Sequence, residues 1–336
     1  LNILILGANG FIGSHLSEAI LKETDWKIFA MDLFSNNLEK CLEQKNFHFH
    51  QGDMLLDTNW VTEHIQKADV ILPLVAIATP ATYVQDPLRV FELDFEANLN
   101  IVRQCVKYKK RIVFPSTSEV YGMCPDQEFD EENSLLVTGP IHRERWIYST
   151  SKQLLDRVIF AYGKHQGLSY TLFRPFNWYG PKLDNIFNPK PGGSRVLTQF
   201  IGNILRGENI MLVDGGAQQR CFMYIDDGIS ALISIIRNEN DNSAQQIFNL
   251  GNPIENISIR ELAEQLVKYI SEYPAYTEQA KKVNLVDVDA EKYYGSGYQD
   301  VSLRVPSIAR ATQKLDWQPK TNMADGLKQT LDFYLK

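Results

Sequence analysis

Cysteine is scarce in this 336-residue chain, and Cys41, Cys105, Cys124 and Cys221 stand far apart without CxxC spacing. That pattern argues against a disulfide framework and a thiolate zinc site, and makes a reducing, cytoplasmic setting the expected one. Basic charge is not in excess either: the formal net charge is −7. A broad nucleic-acid surface is therefore not expected, although a local pocket for a small anion stays open. No apolar run approaches the roughly 20 residues needed to span a bilayer, and no charged-then-apolar leader precedes the first strand pattern, so a soluble chain without a membrane partner is expected. Leu1 opens directly on a strand pattern without a methionine, which suggests a trimmed chain or a domain cut from a longer polypeptide. Repeats, low-complexity tracts and long linkers are missing. Histidines number six; His48 and His50 share one face of a strand pattern, with no carboxylate or further histidine at familiar ligand spacing, so no metal site is expected.

What is present is enough apolar residue, 44% of the chain, to bury a large core in one large α/β domain or two unequal ones. Leu1 to Leu6 is a short apolar run, then a glycine-rich turn, then an amphipathic stretch from Phe11 to Leu21. Further apolar runs at Ile28–Met31, Val70–Val75, Arg111–Pro115 and Tyr170–Arg174 alternate with helical patterns. This predicts an α/β class protein: a Rossmann-like, doubly wound parallel sheet over residues 1–176. Residues 177–194 are rich in Pro, Gly and Asn, marking the start of a smaller C-terminal α/β lobe over 177–336, with some segments free to return to the first domain. Strand patterns at Ile210–Val213, Phe222–Ile225 and Ile247–Leu250, interleaved with helical patterns at Asp226–Arg237 and Ser258–Ile270, are assigned to that lobe.

Gly7-Ala8-Asn9-Gly10-Phe11-Ile12-Gly13 places three glycines between the first strand and helix, where bare backbone can approach a pyrophosphate at the helix N-terminus. The GxxGxxG spacing differs from the dinucleotide fingerprint GxGxxG, and a glycine turn also serves plain packing. Position at the first strand–helix junction favours cofactor binding. Asp32 closes the second strand, where a carboxylate can accept from adenosine ribose hydroxyls and repel a 2′-phosphate, favouring NAD over NADP. Capping of the next turn is the alternative for Asp32.

Tyr148 and Lys152 are one helical turn apart, so both can face one cleft. A tyrosine near pKa 10 is a poor base at neutral pH; a neighbouring lysine charge would stabilise its phenolate and help it take a hydroxyl proton. YxxxK alone also arises by chance on exposed helices. Thr117 follows the strand at Arg111–Pro115, at the strand end where open α/β sheets bind ligands, though such a strand end can be simple turn chemistry.

Thr117, Tyr148 and Lys152 together resemble the Ser/Thr-Tyr-Lys set of the extended short-chain dehydrogenases. Through Ser116-Thr117-Ser118-Glu119-Val120-Tyr121-Gly122, residues Arg174 to Pro181, and Asp214-Gly215-Gly216, nearly the whole chain resembles one family. It is that of the UDP-glucuronic acid decarboxylating dehydrogenase domains of bifunctional polymyxin-resistance proteins. The resemblance implies NAD-dependent oxidation of UDP-glucuronic acid at C4, loss of carbon dioxide, and release of a UDP-4-keto-pentose with NADH, in the service of lipid A modification or another pentose-bearing product. UDP-xylose synthases, close relatives, re-reduce the ketone. It implies Tyr148 as base, Lys152 as its electrostatic partner and nicotinamide-ribose ligand, Thr117 as donor to the C4 oxygen, and Ser118, Glu119 and Arg304 as decarboxylation residues. Arg304 in a surface salt bridge is the competing reading. Asp53 is implied as an adenine contact. Asn177, Arg195 and Arg220 become sugar and diphosphate ligands, although exposed arginines are commonly just solvated, and Tyr294 and Tyr298 flank a Gly-Ser-Gly loop that could close over the sugar or merely pack. Sugar-nucleotide 4,6-dehydratases carry Asp-Glu where this chain has Ser118-Glu119, and 4-epimerases need no carboxylate-handling residues. A homo-oligomer, such as a dimer, and a fused or separate formyltransferase are the partners implied.

Overall fold

In the computed structural model, which describes residues 1–187, 195–294, 301 and 303–336, the apolar runs pair into one seven-stranded parallel sheet. Its strands are β1 (Asn2–Leu6), β2 (Lys27–Asp32), β3 (Phe47–Gln51), β4 (Val70–Pro73), β5 (Arg111–Pro115), β6 (Tyr170–Pro175) and β7 (Gln246–Leu250). They lie in the order β7-β6-β5-β4-β1-β2-β3, a Rossmann-like arrangement. Strand order reverses between β1 and β4, and the crevice outside the strand C-termini at such a reversal is where open α/β sheets take ligands. Leu6 of β1 stands opposite Met31 of β2 and Pro73 of β4, which brings the glycine turn and Asp32 side by side.

A parallel sheet needs cover on both faces, and the sequence supplies it by alternation. Ile3 and Ile5 point into one core, Leu4 and Leu6 into the other. Helices α1 (Phe11–Glu23) and, further along the chain, Ile225–Arg237 pack together on the first face through Leu16, Ile20, Ile229 and Ile236. Val61, Ile101, Leu155 and Ile159 cover the second, from α2 (Thr58–Lys67), α3 (Asn98–Lys107) and α4 (Trp146–Gln166).

Residues 247–250 were expected in the C-terminal lobe; they form β7 at the edge of the main sheet, paired with β6 from Gln246↔Thr171 to Leu250↔Pro175. The helix Ile225–Arg237 lies across the sheet beside α1 and returns the chain for another parallel strand, and Phe248 and Leu250 are fully buried there. Among the described residues the strands left to the lobe form three two-stranded ladders, pairing Trp178–Tyr179 with Met223–Tyr224, Gln219–Cys221 with Asn256–Ser258, and Ile210–Val213 with Leu285–Val288. Its helix Ile259–Ser271 begins at a capping box: Ser258 Oγ accepts from the Glu261 N–H and the Glu261 carboxylate accepts from the Ser258 N–H, satisfying two amides that helix ends leave bare. One apolar core runs from Ile3 through Leu212 to Leu266, so the lobe is packed onto the sheet rather than hung from it.

All four cysteines are buried, free thiols. Among the described residues, no helix is long and apolar enough to cross a membrane, and no three His, Cys, Asp or Glu are grouped to hold a metal. His50 does have a carboxylate beside it, Asp57 at 3.6 Å, and its ring stacks on Trp60. The turn after β3 brings Asp57 back over the strand, a proximity that ligand-spacing rules do not anticipate.

Candidate active site

Gly7 takes φ +86°, and its N–H and that of Ala8 donate to the Met31 carbonyl at 2.9 and 3.2 Å. A side chain there would be strained. At Gly13 a Cβ would meet the Gly7 carbonyl oxygen at 2.4 Å and the Ala8 Cα at 2.8 Å, so glycine lets α1 sit directly on the turn. Gly10 caps α1 without a side-chain hydrogen bond, leaving first-turn amides for an anion. The Asp32 carboxylate accepts the Asn9 N–H at 2.9 Å and faces the Phe34 N–H at 3.4 Å. Burial raises its pKa against the pull of those bonds. Asn9 also clasps the next loop, with Asn37 donating to its Oδ1 at 2.7 Å. Turn, helix end and Asp32 thus form one cradle that fits a dinucleotide. Phe11 and Ile12 pack inward against the core. Asp53 spends Oδ1 on the Leu55 N–H at 2.8 Å, and its own N–H on Asp57.

Thr117 stands at the end of β5 and caps the 3₁₀ turn Ser118–Tyr121, accepting from the Glu119 N–H at 3.2 Å. Tyr148 and Lys152 occupy successive turns at the start of α4, where both are buried. The fold brings Thr117, Tyr148 and Lys152 together: the Thr117 hydroxyl is close enough to the Tyr148 phenol to stabilise its charged form, and the Lys152 ammonium lies over the Tyr148 ring. Tyr83, from the short helix Pro80–Gln85, stacks on Tyr148 with centroids 4.6 Å apart and planes at 6°.

Lys152 has partners besides Tyr148. Its ammonium donates to the Pro115 carbonyl at 3.1 Å, lies 3.7 Å from Asp94 Oδ1, and stands 6.0 Å from the Tyr148 ring centroid. Burial, with Asp94 adding to it, drives the Tyr148 pKa well up, while the Thr117 hydroxyl opposes. A lysine-lowered phenol is therefore not what this pocket makes by itself. Desolvation of the charged form outweighs the local help.

Glu119 is the second focus. Arg145 Nη2 donates to its Oε2 at 2.7 Å, and Arg304 Nη1 donates to its Oε1. Both guanidinium groups are nearly sealed from solvent, so Arg304 is a buried partner and not a surface one. Burial is the largest influence on Glu119 and would raise its pKa, but Arg304, Arg145 and the more distant Arg220 together hold it down to about 2. Ser118 is buried beside it. Arg145 belongs to no motif, and its one signal in the sequence is its position three before Tyr148 on the same helical face. Asp94 and Tyr83 carried no such signal; only packing brings them in.

The nucleotide side is assembled in part. Asn177, at φ +42° just beyond β6, donates to the Cys221 carbonyl at 3.2 Å. Arg220 is buried, donates to the Gln219 carbonyl, and is close enough to act on Glu119. Arg195 Nη1 donates to Asp184 Oδ1 at 2.7 Å and the Leu183 carbonyl at 2.6 Å, and its charge reaches the Tyr148 phenol. Tyr298 and the loop 295–297 lie outside the described residues, as does the side chain of Tyr294.

A Rossmann-like sheet with a glycine turn and the Asp32 carboxylate at its switch point, and with Thr117, Tyr148 and Lys152 gathered near the end of β5, is the arrangement of a dinucleotide-binding protein with a candidate reaction centre. Residues 3–251 match the model of the NAD dependent epimerase/dehydratase family. The chain belongs to that family, and NAD is its cofactor. The PbgP3 protein of Burkholderia pseudomallei is similar in structure, with a TM-score of 0.91 and 54% identity, over 99% of this chain and 96% of that one. The UDP-glucuronic acid 4-epimerase of Bacillus cereus, solved with UDP-glucuronic acid and NAD, gives 0.80 and 23%, over 99% and 98%. The dTDP-glucose 4,6-dehydratase of Bacillus anthracis, solved with NAD, gives 0.78 and 22%, over 99% and 96%. These last two share the fold.

Proposed function

We propose that the protein catalyses NAD-dependent oxidative decarboxylation of UDP-glucuronic acid to a UDP-4-keto-pentose, carbon dioxide and NADH. The observation that carries this reading is Glu119 gripped by Arg145 and Arg304 beside the Thr117/Tyr148 pair. Arginine forks bind carboxylates and diphosphates through paired, charge-assisted hydrogen bonds, and a uronate carries the first of these next to C4. The Bacillus cereus neighbour, which binds UDP-glucuronic acid, lends the same substrate class.

Gly7, Gly10, Gly13 and Asp32 would hold NAD, which when bound supplies the acceptor for the C4 hydrogen and a positive nicotinamide that counters the effect of burial on Tyr148. Tyr148 takes the C4 hydroxyl proton while Thr117 donates to the same oxygen. The 4-ketone then stands β to the carboxylate. As the C5–C6 bond breaks and carbon dioxide leaves, its electron pair forms the C4–C5 enolate, whose oxygen Thr117 and the protonated Tyr148 stabilise; C5 then takes a proton from water to give the UDP-4-keto-pentose. Glu119, ionised at neutral pH, orients Arg145 and Arg304 and is not a proton source in this state. Ser118 in the dehydratase acid position leaves that route without its proton donor.

Incubation with NAD and UDP-glucuronate should yield NADH and carbon dioxide in equal amounts, with the keto-pentose mass in the product. UDP-xylose without net NADH would replace this reading by a synthase. A C4-epimerised uronate without carbon dioxide would overturn decarboxylation altogether.

A further inference from the structure

We propose that Asp94 is a positioning residue of the reaction centre: it is the buried counter-ion that holds the Lys152 ammonium and sets the pH range over which Tyr148 and Lys152 work together. The proposal rests on reading those two residues as the reaction centre.

Asp94 lies in a π-helical turn, Glu92–Ala97, between the short helix Pro87–Phe91 and α3. Such turns are rare and recur at functional sites. The widened turn is stitched down on both sides. Asn98 Nδ2 donates to the Leu93 carbonyl at 2.9 Å and the Val75 carbonyl at 3.2 Å, and Asp94 Oδ2 accepts the Ile77 N–H at 3.0 Å. That leaves Asp94 Oδ1, buried and without a hydrogen bond, 3.7 Å from Lys152 Nζ. Both side chains are sealed from water, at 0% and 1% exposure. A carboxylate so placed is costly unless a cation answers it. The ammonium it answers has the Pro115 carbonyl and the Phe114 ring as its other neighbours.

The other charged groups nearby are committed elsewhere or act less. Asp156, one turn further along α4, accepts from Ser116 Oγ at 2.7 Å and Arg174 Nη2 at 3.3 Å. Tyr83 stacks on Tyr148, while Glu119 and Arg195 act on the phenol with opposite signs. Arg145 acts on Tyr83 and is paired with Glu119. Burial favours neutral Lys152, and Asp94 opposes it ahead of Asp156. The same carboxylate holds the Tyr148 proton on. Removing one negative charge therefore lowers the pKa of both groups, so a bell-shaped rate profile moves to lower pH as a whole. Loss of mere packing lowers the bell without moving it.

Asp94→Asn keeps the shape and an acceptor for Ile77. In the full chain labelled at lysine Cε with ¹³C, the Lys152 signal, assigned by its loss in Lys152→Met, should titrate about one pH unit or more lower in Asp94→Asn. Asp94→Glu should restore the wild-type range. Both limbs of the rate profile with NAD and UDP-glucuronate should move down with it. An unmoved Lys152 midpoint overturns the proposal without reference to any substrate. Should Asp94→Asn fail to fold, the Asp94 carboxyl ¹³C signal in Lys152→Met must titrate about one unit or more above wild type; an unmoved signal again overturns it. Full activity in Tyr148→Phe and Lys152→Met is a separate result, removing the reaction-centre reading and the proposal with it.

Discussion

Replacing Glu119 by glutamine tests the electrostatics of the site without touching its shape. The native carboxyl is held at about 2 against an ordinary 4.5, and each unit of pKa is worth about 1.4 kcal/mol, so the ionised form contributes roughly 3 kcal/mol to folding at neutral pH. Because the folded-state pKa is the depressed one, that contribution is complete above pH 4.5 and fades as pH falls from 4.5 toward 2. Glu119→Gln should therefore lose roughly 3 kcal/mol at pH 7, since Arg145 and Arg304 then face a neutral amide. Its deficit should narrow below pH 4.5, where wild type is itself becoming neutral at this position. Urea unfolding of both proteins at pH 7, 5, 4 and 3.5 gives the comparison. Equal stability at pH 7, or a deficit that ignores pH down to 3.5, would refute the account of Glu119 as an ionised anchor between two buried guanidinium groups.

Tyr148→Phe should cut oxidation by about 10²-fold or more while NAD titration by fluorescence gives an unchanged Kd; a small loss of rate would deny the phenol its role as base. Gly13→Ala drives a methyl to within 2.4 Å of the Gly7 carbonyl oxygen, so α1 must shift, and calorimetry should show NAD affinity falling about tenfold or more, a cost of about 1.4 kcal/mol; retained affinity would separate the turn from the cofactor. If Asp32 meets the ribose hydroxyls, Asp32→Ala should narrow the preference for NAD over NADP in parallel kinetic runs, an outcome that turn capping alone does not produce. Arg145→Lys keeps the charge but not the fork, and should raise KM for UDP-glucuronate more than it lowers kcat; an unaltered KM would take Arg145 out of uronate recognition.

Local signals in the sequence match local structure. The strand at Arg111–Pro115 has the expected bounds, and the helix expected from Asp226 to Arg237 starts one residue earlier, at Ile225, because apolar alternation and helical periodicity are written in neighbouring residues. Phe248 and Leu250 show where that ends. A four-residue strand pattern reads the same whether it pairs inside a small lobe or at the edge of the main sheet, and only the path of the helix before it decides. The same holds for chemistry: the spacing of an arginine in a loop does not show that Asp184 and the Leu183 carbonyl fix the Arg195 guanidinium.

The sequence alone determined the alternating strands and helices, the glycine turn with Asp32 beyond it, and Tyr148 one turn from Lys152, all of them relations over a few residues or along one βαβ unit. Tertiary structure decided what surrounds that pair. Glu119 meets Arg304 only because the C-terminal segment packs across the end of β5, and Lys152 turns to Asp94 only because a π turn in a different helix leaves one carboxylate oxygen facing it. Charges buried this deeply interact strongly and must be answered by partners, and those partners are chosen by which elements pack together, a property that residue spacing does not record.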